Sequence, residues 1–381
     1  MKRISVTGKN WIFKKFNDQE AIKISEKYSL KQIIAKLIAI RKNNIDNIDL
    51  FLNPTIKNLL PNPHKLKDMQ KAVNRAYESI LKKDLIGIFG DYDVDGATST
   101  ALLARYFLNI KQQIQTYIPD RKNEGYGPTV KGFQNLIKSN ANIIFTVDCG
   151  TSSFEAIQSA KEKNIDVIVL DHHQSEIKLP DAYAIINPNR IDDKSDLNYL
   201  CAAGVCFMFL AGLNKKLRES DWFLNNKIKE PNILNLLDLV SLGTVCDVVP
   251  LIGLNRAFVK QGLKIMKNRT NVGLKTLYDL NNSKSEPTTY DLGFVLGPRI
   301  NAGGRVGKSS HGSELLISED PLRLFKIATD LNKFNEERKS IESFLTEQVF
   351  KSAERFHNHP VLVLSGNNWH EGIIGIVASR V

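Results

Sequence analysis

Short apolar runs alternate with amphipathic segments through the middle of the chain. Four runs have the length and composition of buried strands: LIGIFG, IQTYIP, NIIFTV and DVIVLD. Between them, apolar residues recur every three or four positions in ATSTALLARYFLNI, VKGFQNLIKS and SSFEAIQSAKEKN, which is helical spacing. Strands that alternate with helices are typical of a parallel sheet covered on both faces. The pattern therefore predicts an α/β fold with a helix-flanked parallel sheet.

The first part of the chain has a different pattern, and we expect residues 1–65 to form a helical arm. DQEAIKISEKYSLKQIIAKLIAIRK has helical spacing, and LNPTIKNLLPNPHKL is a proline-punctuated connector. A further helix, MQKAVNRAYESILKK, leads into the first strand, and residues 200–280 are mainly helical in pattern.

The pattern changes again near residue 320. Asp320 is a candidate N-cap, Pro321 suits the first helical position, and apolar residues recur at helical spacing as far as Leu345. We expect a connecting helix over 319–357, then a strand in PVLVLSG and a helix in GIIGIVASRV. One strand and one helix cannot bury a core. The predicted division is therefore an arm (1–65), a main domain (66–318), the connecting helix (319–357) and the truncated start of a second α/β domain (358–381).

Composition narrows the function classes. The 381 residues carry a net charge of +11, which favours a polyanionic partner such as nucleic acid, although scattered lysines in a Lys-, Asn- and Ile-rich chain also produce such a charge. The four cysteines form no CxxC pair, which argues against a zinc site or a disulfide framework. No apolar segment is long enough to span a bilayer. We therefore expect a cytoplasmic protein with no membrane partner.

Acidic residues follow the strand-like runs. Four clusters occur, namely DYDVDG (91–96), Asp148, DHH (171–173) and Asp247 in LGTVCDVVPL. Because the carboxyl ends of strands in an open α/β sheet form its ligand crevice, we expect these groups to converge. Asp93 and Asp95, two apart in an extended segment, are predicted to point the same way. Carboxylates this close do not all stay ionised without countercharge, and divalent metal supplies it.

The donor types indicate which metal and which chemistry. Oxygen-rich ligands with one or two imidazoles suit Mn²⁺ or Mg²⁺, and a metal pair ~3.5–4 Å apart suits phosphoester hydrolysis. His172 and His173 are neighbours in an extended segment, so we expect them to face opposite ways and only one to be a ligand. Taken singly, Asp148 or Asp247 is more typical of a helix cap or turn, and only the joint pattern favours metal.

Two other motifs are weaker matches. DYDVDG matches the first half of a calcium-binding EF-hand loop, but the twelfth position holds Leu102 instead of a glutamate. AGGRVGKS (302–309) is similar to a nucleotide-binding P-loop, yet no good strand precedes it and no later strand ends in an aspartate. The sequence therefore favours neither calcium nor nucleotide binding.

Four segments, DYDVDG, TVDCG, DHH and GTVCDVVPL, resemble motifs I to IV of the DHH phosphoesterase superfamily in order and spacing. YIPDRKNEGYG, GPRINAGGRVG, LNKFNEERK and WHEGIIGIVASR are similar to the RecJ family within it, and this resemblance runs from about residue 50 to residue 381. It implies a DHH-type parallel sheet and metal-dependent hydrolysis of single-stranded DNA in the 5′→3′ direction. The expected products are nucleoside 5′-monophosphates, and the expected setting is DNA repair and recombination.

The resemblance also implies residue roles. Two Mn²⁺ or Mg²⁺ ions would be held by Asp93, Asp95, Asp148, His172 and Asp247, with Asp148 as the bridge. His173 would act on the scissile phosphate, and Asp171 would orient the histidine pair. The expected DNA contacts are Arg121 and Tyr126, and a phosphate-gripping loop with Arg299, Asn301 and Arg305. Arginine forks pair with phosphate and aromatic faces accept any base; outside these motifs, an ordinary loop or a capping contact would explain the same residues.

The resemblance stops before the family's full length. RecJ-family proteins continue with a complete DHHA1 domain and an OB-type domain, whereas here DHHA1 begins at about residue 358 and is cut off. We expect an intact catalytic half whose activity on single-stranded DNA is weakened by the truncation, without tight binding or processive digestion. We also expect a monomer, with a single-strand-binding protein or helicase as candidate protein partners. Two alternatives stay open: a DHH phosphodiesterase acting on short oligonucleotides or cyclic dinucleotides, and a single-strand-binding remnant without turnover.

Overall fold

The computed structural model describes residues 3–41, 47–281, 286–356 and 361–381. The strands are β1 (Arg3–Ile4), β2 (Asn10–Trp11), β3 (Ile86–Gly90), β4 (Ile114–Tyr117), β5 (Ile143–Val147), β6 (Asp166–Leu170) and β7 (Ala184–Ile186). The first nine helices are α1 (Asp18–Tyr28), α2 (Gln32–Arg41), α3 (Ile48–Leu52), α4 (Ile56–Leu59), α5 (Met69–Lys82), α6 (Val94–Asn109), α7 (Arg121–Glu124), α8 (Val130–Lys138) and α9 (Phe154–Lys161). The others are α10 (Ala202–Glu219), α11 (Trp222–Asn225), α12 (Leu237–Cys246), α13 (Gly253–Lys267), α14 (Val272–Leu280), α15 (Gly297–Val306), α16 (His311–Ile317), α17 (Pro321–Ala353) and α18 (Glu371–Ala378).

A five-stranded parallel sheet forms the centre of the fold, as predicted. Its strand order is β4-β3-β5-β6-β7. The chain moves from β3 outward to β4 and then returns to the other side of β3 with β5, so β3 and β5 form a topological switch point. Gly90, Val147 and Leu170, the last residues of β3, β5 and β6, lie side by side in register. The residues that follow these strands therefore lie at one rim.

Alternation along the strands builds a core on each face of the sheet. In β3, Ile86 and Ile88 pack into the cluster that α5, α6 and α10 cover, while Phe89 packs with Phe133 of α8 on the opposite face. Successive side chains of a strand point to opposite faces, which explains this division. Full burial of a side chain of this size stabilises the fold by about 1.5–3 kcal/mol. The two cores hold the strand ends, and with them the rim, in place.

Several short elements differ from the prediction. β7 has three residues, too few for its apolar alternation to be recognised, and β1 and β2 form an antiparallel pair within the arm that was predicted to be helical. The helical pattern of the arm is otherwise confirmed by α1 and α2. The stretch 42–46 of the predicted arm lies outside the described residues.

The prediction that LGTVCDVVPL is strand-like is wrong, because the first half of this run is the end of α12. This helix packs against α6, α10 and α13, so it is apolar around most of its circumference. A short apolar run buried on all sides has no periodicity that separates a helix from a strand. Asp247 consequently follows a helix, not a strand.

The C-terminal elements follow the prediction in part. Asp320 caps α17, accepting hydrogen bonds from the Leu322 and Arg323 N–H groups, and Pro321 is the first helical residue. The helix predicted in GIIGIVASRV is confirmed as α18. The strand predicted in PVLVLSG is wrong over 361–366, because within the described ranges no strand lies beside it to complete its hydrogen bonds. Among the described helices, none has both the length and the apolarity that crossing a bilayer requires.

Helices α12 and α13 cross closely at Gly262, and a substitution there tests the packing that positions Asp247. A Cβ added at Gly262 of α13 would lie 2.2 Å from the Leu237 carbonyl oxygen and 2.5 Å from Ser241 Cβ. Gly262→Ala should therefore push the helices apart and lower the free energy of unfolding by about 1–3 kcal/mol in urea titrations. Gly375→Ala in α18 is the matched control, since its added Cβ meets no atom within 4 Å outside its own helix. Equal stability of the Gly262→Ala variant and the parent would contradict the close crossing.

Candidate metal centre

The DYDVDG segment turns from β3 directly into α6. Asp93 is the N-cap of α6, and its Oδ1 accepts a hydrogen bond from the Gly96 N–H at 3.0 Å. Asp95 lies in the first helical turn, so the extended segment predicted for Asp93 and Asp95 is wrong. A Cβ at Gly96 would lie 2.5 Å from the Asp91 carbonyl oxygen, so glycine is what permits this tight turn. The turn brings three carboxylates together at a helix N-terminus, which favours negative charge.

Asp95 is anchored by a helix far away in the sequence. Its two carboxylate oxygens accept hydrogen bonds from the Ala202 N–H at 2.6 Å and the Ala203 N–H at 3.0 Å, at the start of α10. Burial raises the pKa of Asp95, and the nearby His172 opposes that shift. The anchoring explains how one carboxylate can be fully buried while facing other acids.

Asp148 follows β5 with a left-handed backbone, φ 59°. Its N–H donates to the Leu170 carbonyl at 3.0 Å, which ties the turn to β6. Burial raises the pKa of Asp148 well above its ordinary value, and Asp93 and Asp95 add to the shift. Non-glycine residues at positive φ are uncommon and concentrate at functional sites.

The DHH loop is organised by Asp171. Its Oδ1 accepts hydrogen bonds from the N–H groups of His172 (2.7 Å) and His173 (3.2 Å), and also lies 2.7 Å from His173 Nδ1. Burial alone would raise the pKa of Asp171, but the bonds from His173 and Thr151 hold it well below its usual range. The same contact with Asp171 raises the pKa of His173 to about 9.

The two histidines do not face opposite ways, because the chain bends at His173 instead of continuing as a strand. Their ring centroids are 4.7 Å apart. His172 Nε2 lies 3.3 Å from Asp148 Oδ1 and 3.6 Å from Asp247 Oδ2, while His173 Nδ1 lies 4.0 Å from Asp148 Oδ1. Both rings therefore border the acidic cluster.

Asp91 and Asp247 complete this cluster. Burial raises the pKa of Asp91 to about 7, and the neighbouring Asp93 carboxylate adds to this shift. Burial likewise raises the pKa of Asp247 to about 8, and the neighbouring Asp95 and Asp93 carboxylates add to this shift. Asp91 is absent from the predicted ligands, although the sequence shows it as the first of three acids at alternate positions. Its inward orientation depends on the turn into α6, which the extended interpretation of this segment did not contain.

The ligand atoms fall into two separate groups. Within each group, one atom per residue lies within 4.8 Å of the others, and the groups are Asp91–Asp93–Asp148 and Asp95–His172–Asp247. A third group, made of Asp148, His172 and His173, overlaps both. The first two groups share no residue. The third group links them, because it contains Asp148 of the first and His172 of the second. This arrangement can hold two ions next to each other.

Unpaired buried atoms provide a test of whether a metal fits. Four such atoms, with no hydrogen-bond partner among the described residues, belong to this cluster: Asp91 Oδ1, Asp148 Oδ1, His172 Nε2 and Asp247 Oδ2. Leaving a buried polar group unpaired costs about 1–3 kcal/mol. Carboxylate oxygens with one or two imidazoles are suitable ligands for Mn²⁺ or Mg²⁺. The residues present therefore fit a divalent metal centre.

The predicted contacts Arg121 and Tyr126 lie beside this centre. The Tyr126 hydroxyl donates to the Asp148 carbonyl at 3.3 Å and lies 3.0 Å from His173 Nε2, while the residue is 56% exposed. The Arg121 guanidinium stacks over the Tyr92 ring at 5.2 Å, and Tyr92 meets Tyr126 edge to face. A cation and an exposed aromatic face thus adjoin His173.

The segment with Arg299, Asn301 and Arg305 is helix α15, so the predicted loop is wrong. Its glycines allow close packing, since a Cβ at Gly304 would lie 2.9 Å from the Tyr92 carbonyl oxygen. Asn301 Oδ1 accepts a hydrogen bond from the Val94 N–H at 3.1 Å, which docks α15 on the turn that carries the acids.

The two arginines of α15 already have protein partners. Arg299 donates to the Val295 carbonyl at 2.7 Å and to Asn332 Oδ1 at 3.0 Å. Arg305 donates to the Gly372 carbonyl at 2.9 Å, and burial lowers its pKa. These bonds fix both guanidinium groups, and their contact with phosphate stays a prediction.

Two asparagines that support the DHH loop are missing from the sequence prediction. Asn187 donates to the His173 carbonyl at 2.8 Å and to Thr151 Oγ1 at 2.9 Å, and Asn189 donates to the His172 carbonyl. Both follow β7 and thus lie at the same rim as the acids. The available signal was a polar run, NPNR, directly after a strand, but that strand is too short to be recognised.

Comparisons with known proteins agree with this geometry. Residues 85–244 match the model described as "DHH family, N-terminal domain". A relative from Haemophilus influenzae, named "Single-stranded-DNA-specific exonuclease RecJ", is 38% identical over 339 residues, covering 87% of this chain and 58% of the relative. The chain thus spans little more than half the length of this curated relative.

Two solved structures are similar over most of the chain. One, described as "Crystal structure of exonuclease RecJ bound to manganese", has 30% identity and a TM-score of 0.73, covering 83% of this chain and 77% of that one. The other, a crystal structure of RecJ from Thermus thermophilus in complex with Mn²⁺, has 26% identity and a TM-score of 0.78, covering 95% and 50%. With the strand-end acids, the DHH loop and these similarities together, the chain belongs to the RecJ family of DHH proteins.

Proposed function

We propose that this chain is the metal-dependent catalytic part of an exonuclease that degrades single-stranded DNA from its 5′ end and releases nucleoside 5′-monophosphates. The observation that carries the proposal is the pair of ligand groups at the sheet rim, whose buried atoms lack partners among the described residues. The family of the chain supports the substrate class, because its relatives are named as single-stranded-DNA-specific exonucleases. On the same basis we propose a cytoplasmic role in DNA repair and recombination, as a monomer that works with a single-strand-binding protein or a helicase.

We assign one divalent ion, Mn²⁺ or Mg²⁺, to each ligand group. Asp91, Asp93 and Asp148 would hold the first ion, and Asp95, His172 and Asp247 the second. Compared with the sequence prediction, this assignment adds Asp91. Asp148 would also reach the second ion as the bridging ligand, because its Oδ1 lies 3.3 Å from His172 Nε2 of the second group. When bound, such a pair supplies a nucleophile at neutral pH and neutralises charge on the attacked phosphate.

His173 would donate a hydrogen bond from Nε2 to an oxygen of the scissile phosphate, in place of its contact with the Tyr126 hydroxyl. Its pKa of about 9 keeps the ring cationic at neutral pH, and Asp171 fixes the ring orientation through Nδ1. The Tyr126 hydroxyl, 3.0 Å from Nε2, limits rotation of the same ring. Asp171 would act by positioning, since it holds both histidine N–H groups and is buried.

The DNA strand would contact Arg121 and Tyr126 near its 5′ end and the guanidinium groups of α15 along its phosphates. Tyr126 exposes more than half of its surface, which suits stacking on a base of any sequence. Arginine forks match phosphate oxygens, and the net charge of +11 favours a polyanionic ligand. We also propose the domain division of the sequence analysis, with the arm at 1–65, the catalytic domain at 66–318, the connecting helix at 319–357 and the start of a DHHA1 domain from 358.

The polarity of digestion tests the proposed activity. Purified chain with Mn²⁺ should release a 5′ label directly as a mononucleotide, while a 3′-labelled strand should shorten stepwise, as seen on a sequencing gel. Duplex DNA of the same sequence serves as the control and should resist. Turnover of cyclic di-AMP in place of the single strand would favour the general phosphodiesterase, and salt-sensitive binding without release would favour a non-catalytic binder.

Asp148→Asn should separate metal binding from folding. Without metal, the neutral amide removes a buried charge whose ionisation the site opposes, so the melting temperature in EDTA should rise. With Mn²⁺, the variant should gain less thermal stability than the parent, because the first ion loses a ligand, and should lose hydrolysis by about 100-fold or more. Asp181→Asn, at a surface acid paired with Lys161, is the matched control. A variant that keeps metal-dependent stabilisation and turnover would rule out Asp148 as a ligand.

The titration of the cluster predicts an unusual dependence of stability on pH. In the metal-free protein, the pKa values of Asp91 and Asp247 lie near 7 and 8 and that of His173 near 9, all above their ordinary values. The folded state therefore binds more protons than the unfolded state between about pH 4 and pH 9, and stability falls as pH rises through this window.

Differential scanning fluorimetry in EDTA checks this expectation. The melting temperature should drop from about pH 6 to about pH 8.5, on the order of 5 °C. Saturating Mg²⁺ should remove most of the drop, because ions bind the deprotonated ligands and do so better at higher pH. A metal-free protein that gains stability over this range would contradict the protonated cluster.

A further inference from the structure

An exposed aromatic pair lies on an unusual helical segment. Tyr290 and Phe294 are 65% and 68% exposed, and their rings stack with centroids 4.9 Å apart and planes 26° apart. Tyr290 directly precedes the π-helix Asp291–Leu296 and Phe294 lies within it, while Leu292 and Leu296 of the same helix point into the core. π-Helical turns are rare and occur frequently at functional sites. The segment therefore presents two ordered rings to solvent from a firmly anchored backbone.

The π-helix that carries the aromatic pair packs against the segment that delivers Asp247 to the candidate metal centre. The Leu292 carbonyl accepts from Cys246 Sγ at 3.3 Å, and a Cβ added at Gly297 would lie 2.5 Å from the same sulfur. Cys246 directly precedes Asp247, a member of the second ligand group. The π-helix is thus packed against the end of α12 that delivers Asp247.

The residue on the other side of Asp247 is strained and exposed. Val248 has φ 60° and is 85% exposed. A left-handed backbone is an outlier for a β-branched residue, and strain of this kind collects at ligand sites. The same short stretch therefore presents an apolar side chain to solvent one residue after Asp247 in the chain.

A cation completes this surface. Arg299 donates to the Val295 carbonyl at 2.7 Å, so its guanidinium is held against the π-helix that carries Phe294. Stacked aromatic faces next to an arginine are the combination that binds single-stranded nucleic acid: bases stack on the rings and the cation attracts the phosphates. Adjacency to the metal centre favours this ligand over a folded protein partner, because a strand being cleaved must pass along the rim.

We propose that Tyr290 and Phe294 form a stacking platform for bases of single-stranded DNA beside the metal centre, with Val248 as its apolar edge and Arg299 as its phosphate contact. This inference rests on the proposed function, and it adds a site for nucleotides outside the reacting one. Stacking on the platform would hold the strand in register without reading its sequence, since every base offers a π-face.

The test compares base-containing and abasic strands. Fluorescence anisotropy in the presence of Mn²⁺ would measure the binding of two labelled strands. One is a 5′-phosphorylated strand of about 12 nucleotides, and the other is the same strand with abasic sites. The Asp148→Asn background prevents cleavage during the measurement. Tyr290→Ser with Phe294→Ser should weaken binding of the normal strand about tenfold or more and leave binding of the abasic strand unchanged. Tyr290→Phe with Phe294→Tyr keeps both rings and should bind as the background does.

Two comparisons make the result specific. Phe325→Ser with Phe344→Ser changes two similarly exposed aromatic residues of α17, 57% and 62% exposed, and should have no effect. The Tyr290/Phe294 variant should keep the background's slope of log Kd against log salt, because no phosphate contact is lost, whereas Arg299→Ala should reduce that slope by about one.

Equal binding of the normal strand by the background and the Tyr290/Phe294 variant would overturn the platform. So would an equal loss on normal and abasic strands, or evidence from gel filtration that the rings serve self-association and not DNA binding. Hydrolysis by the parent chain is measured separately. Loss of binding in the Tyr290/Phe294 variant together with a parent chain that does not cleave would contradict the proposed activity alone. A parent chain that cleaves, together with unchanged binding in the Tyr290/Phe294 variant, would contradict the platform alone.

Discussion

The mutual repulsion of buried carboxylates is the constraint on which the rest of the structure depends. Asp91, Asp95 and Asp148 are nearly inaccessible to solvent, and burial raises the pKa of each. In a low-dielectric setting such groups cannot all be ionised unless cations accompany them. The protein's own nearby cations, chiefly His173 with Arg121 and Arg305, are fewer than the acids. The site is therefore at its most stable with protons or with dications, and the second state is the one that the proposed hydrolysis requires.

The fold supports this costly arrangement from several directions. Separate elements deliver the acids: the turn from β3 into α6, the end of β5, the loop after β6 and the end of α12. Several of the ligands are restrained by contacts that lie outside the cluster, such as the α10 N–H groups that hold Asp95 and the asparagines that hold the DHH main chain. A site built from distant segments keeps its geometry only while the two hydrophobic cores keep those segments aligned. Stability and the proposed chemistry are therefore coupled through the sheet.

The sequence was sufficient for the sheet and for most of the ligands, because short apolar runs between helical segments and the acids that follow those runs are local signals. It was insufficient where geometry comes from tertiary contacts. The inward orientation of Asp91 and the helical setting of Asp95 depend on a turn that Gly96 permits and α10 completes. Asp247 was placed after a strand because α12 is apolar on nearly every side, which removes its helical periodicity. The stacking of Tyr290 on Phe294 likewise arises from a π-helix that no local sequence pattern predicts.

The account depends most on two dications being taken up by the carboxylate cluster. Isothermal titration calorimetry of Mn²⁺ into metal-free protein at neutral pH, repeated in buffers of different ionisation enthalpy, measures both the number of ions and the protons that they displace. We predict uptake of two ions per chain with release of protons, because Asp91 and Asp247, with pKa values of about 7 and about 8, are partly protonated before the metal binds. Absence of Mn²⁺ uptake by folded protein, or uptake without proton release, would contradict the central claim.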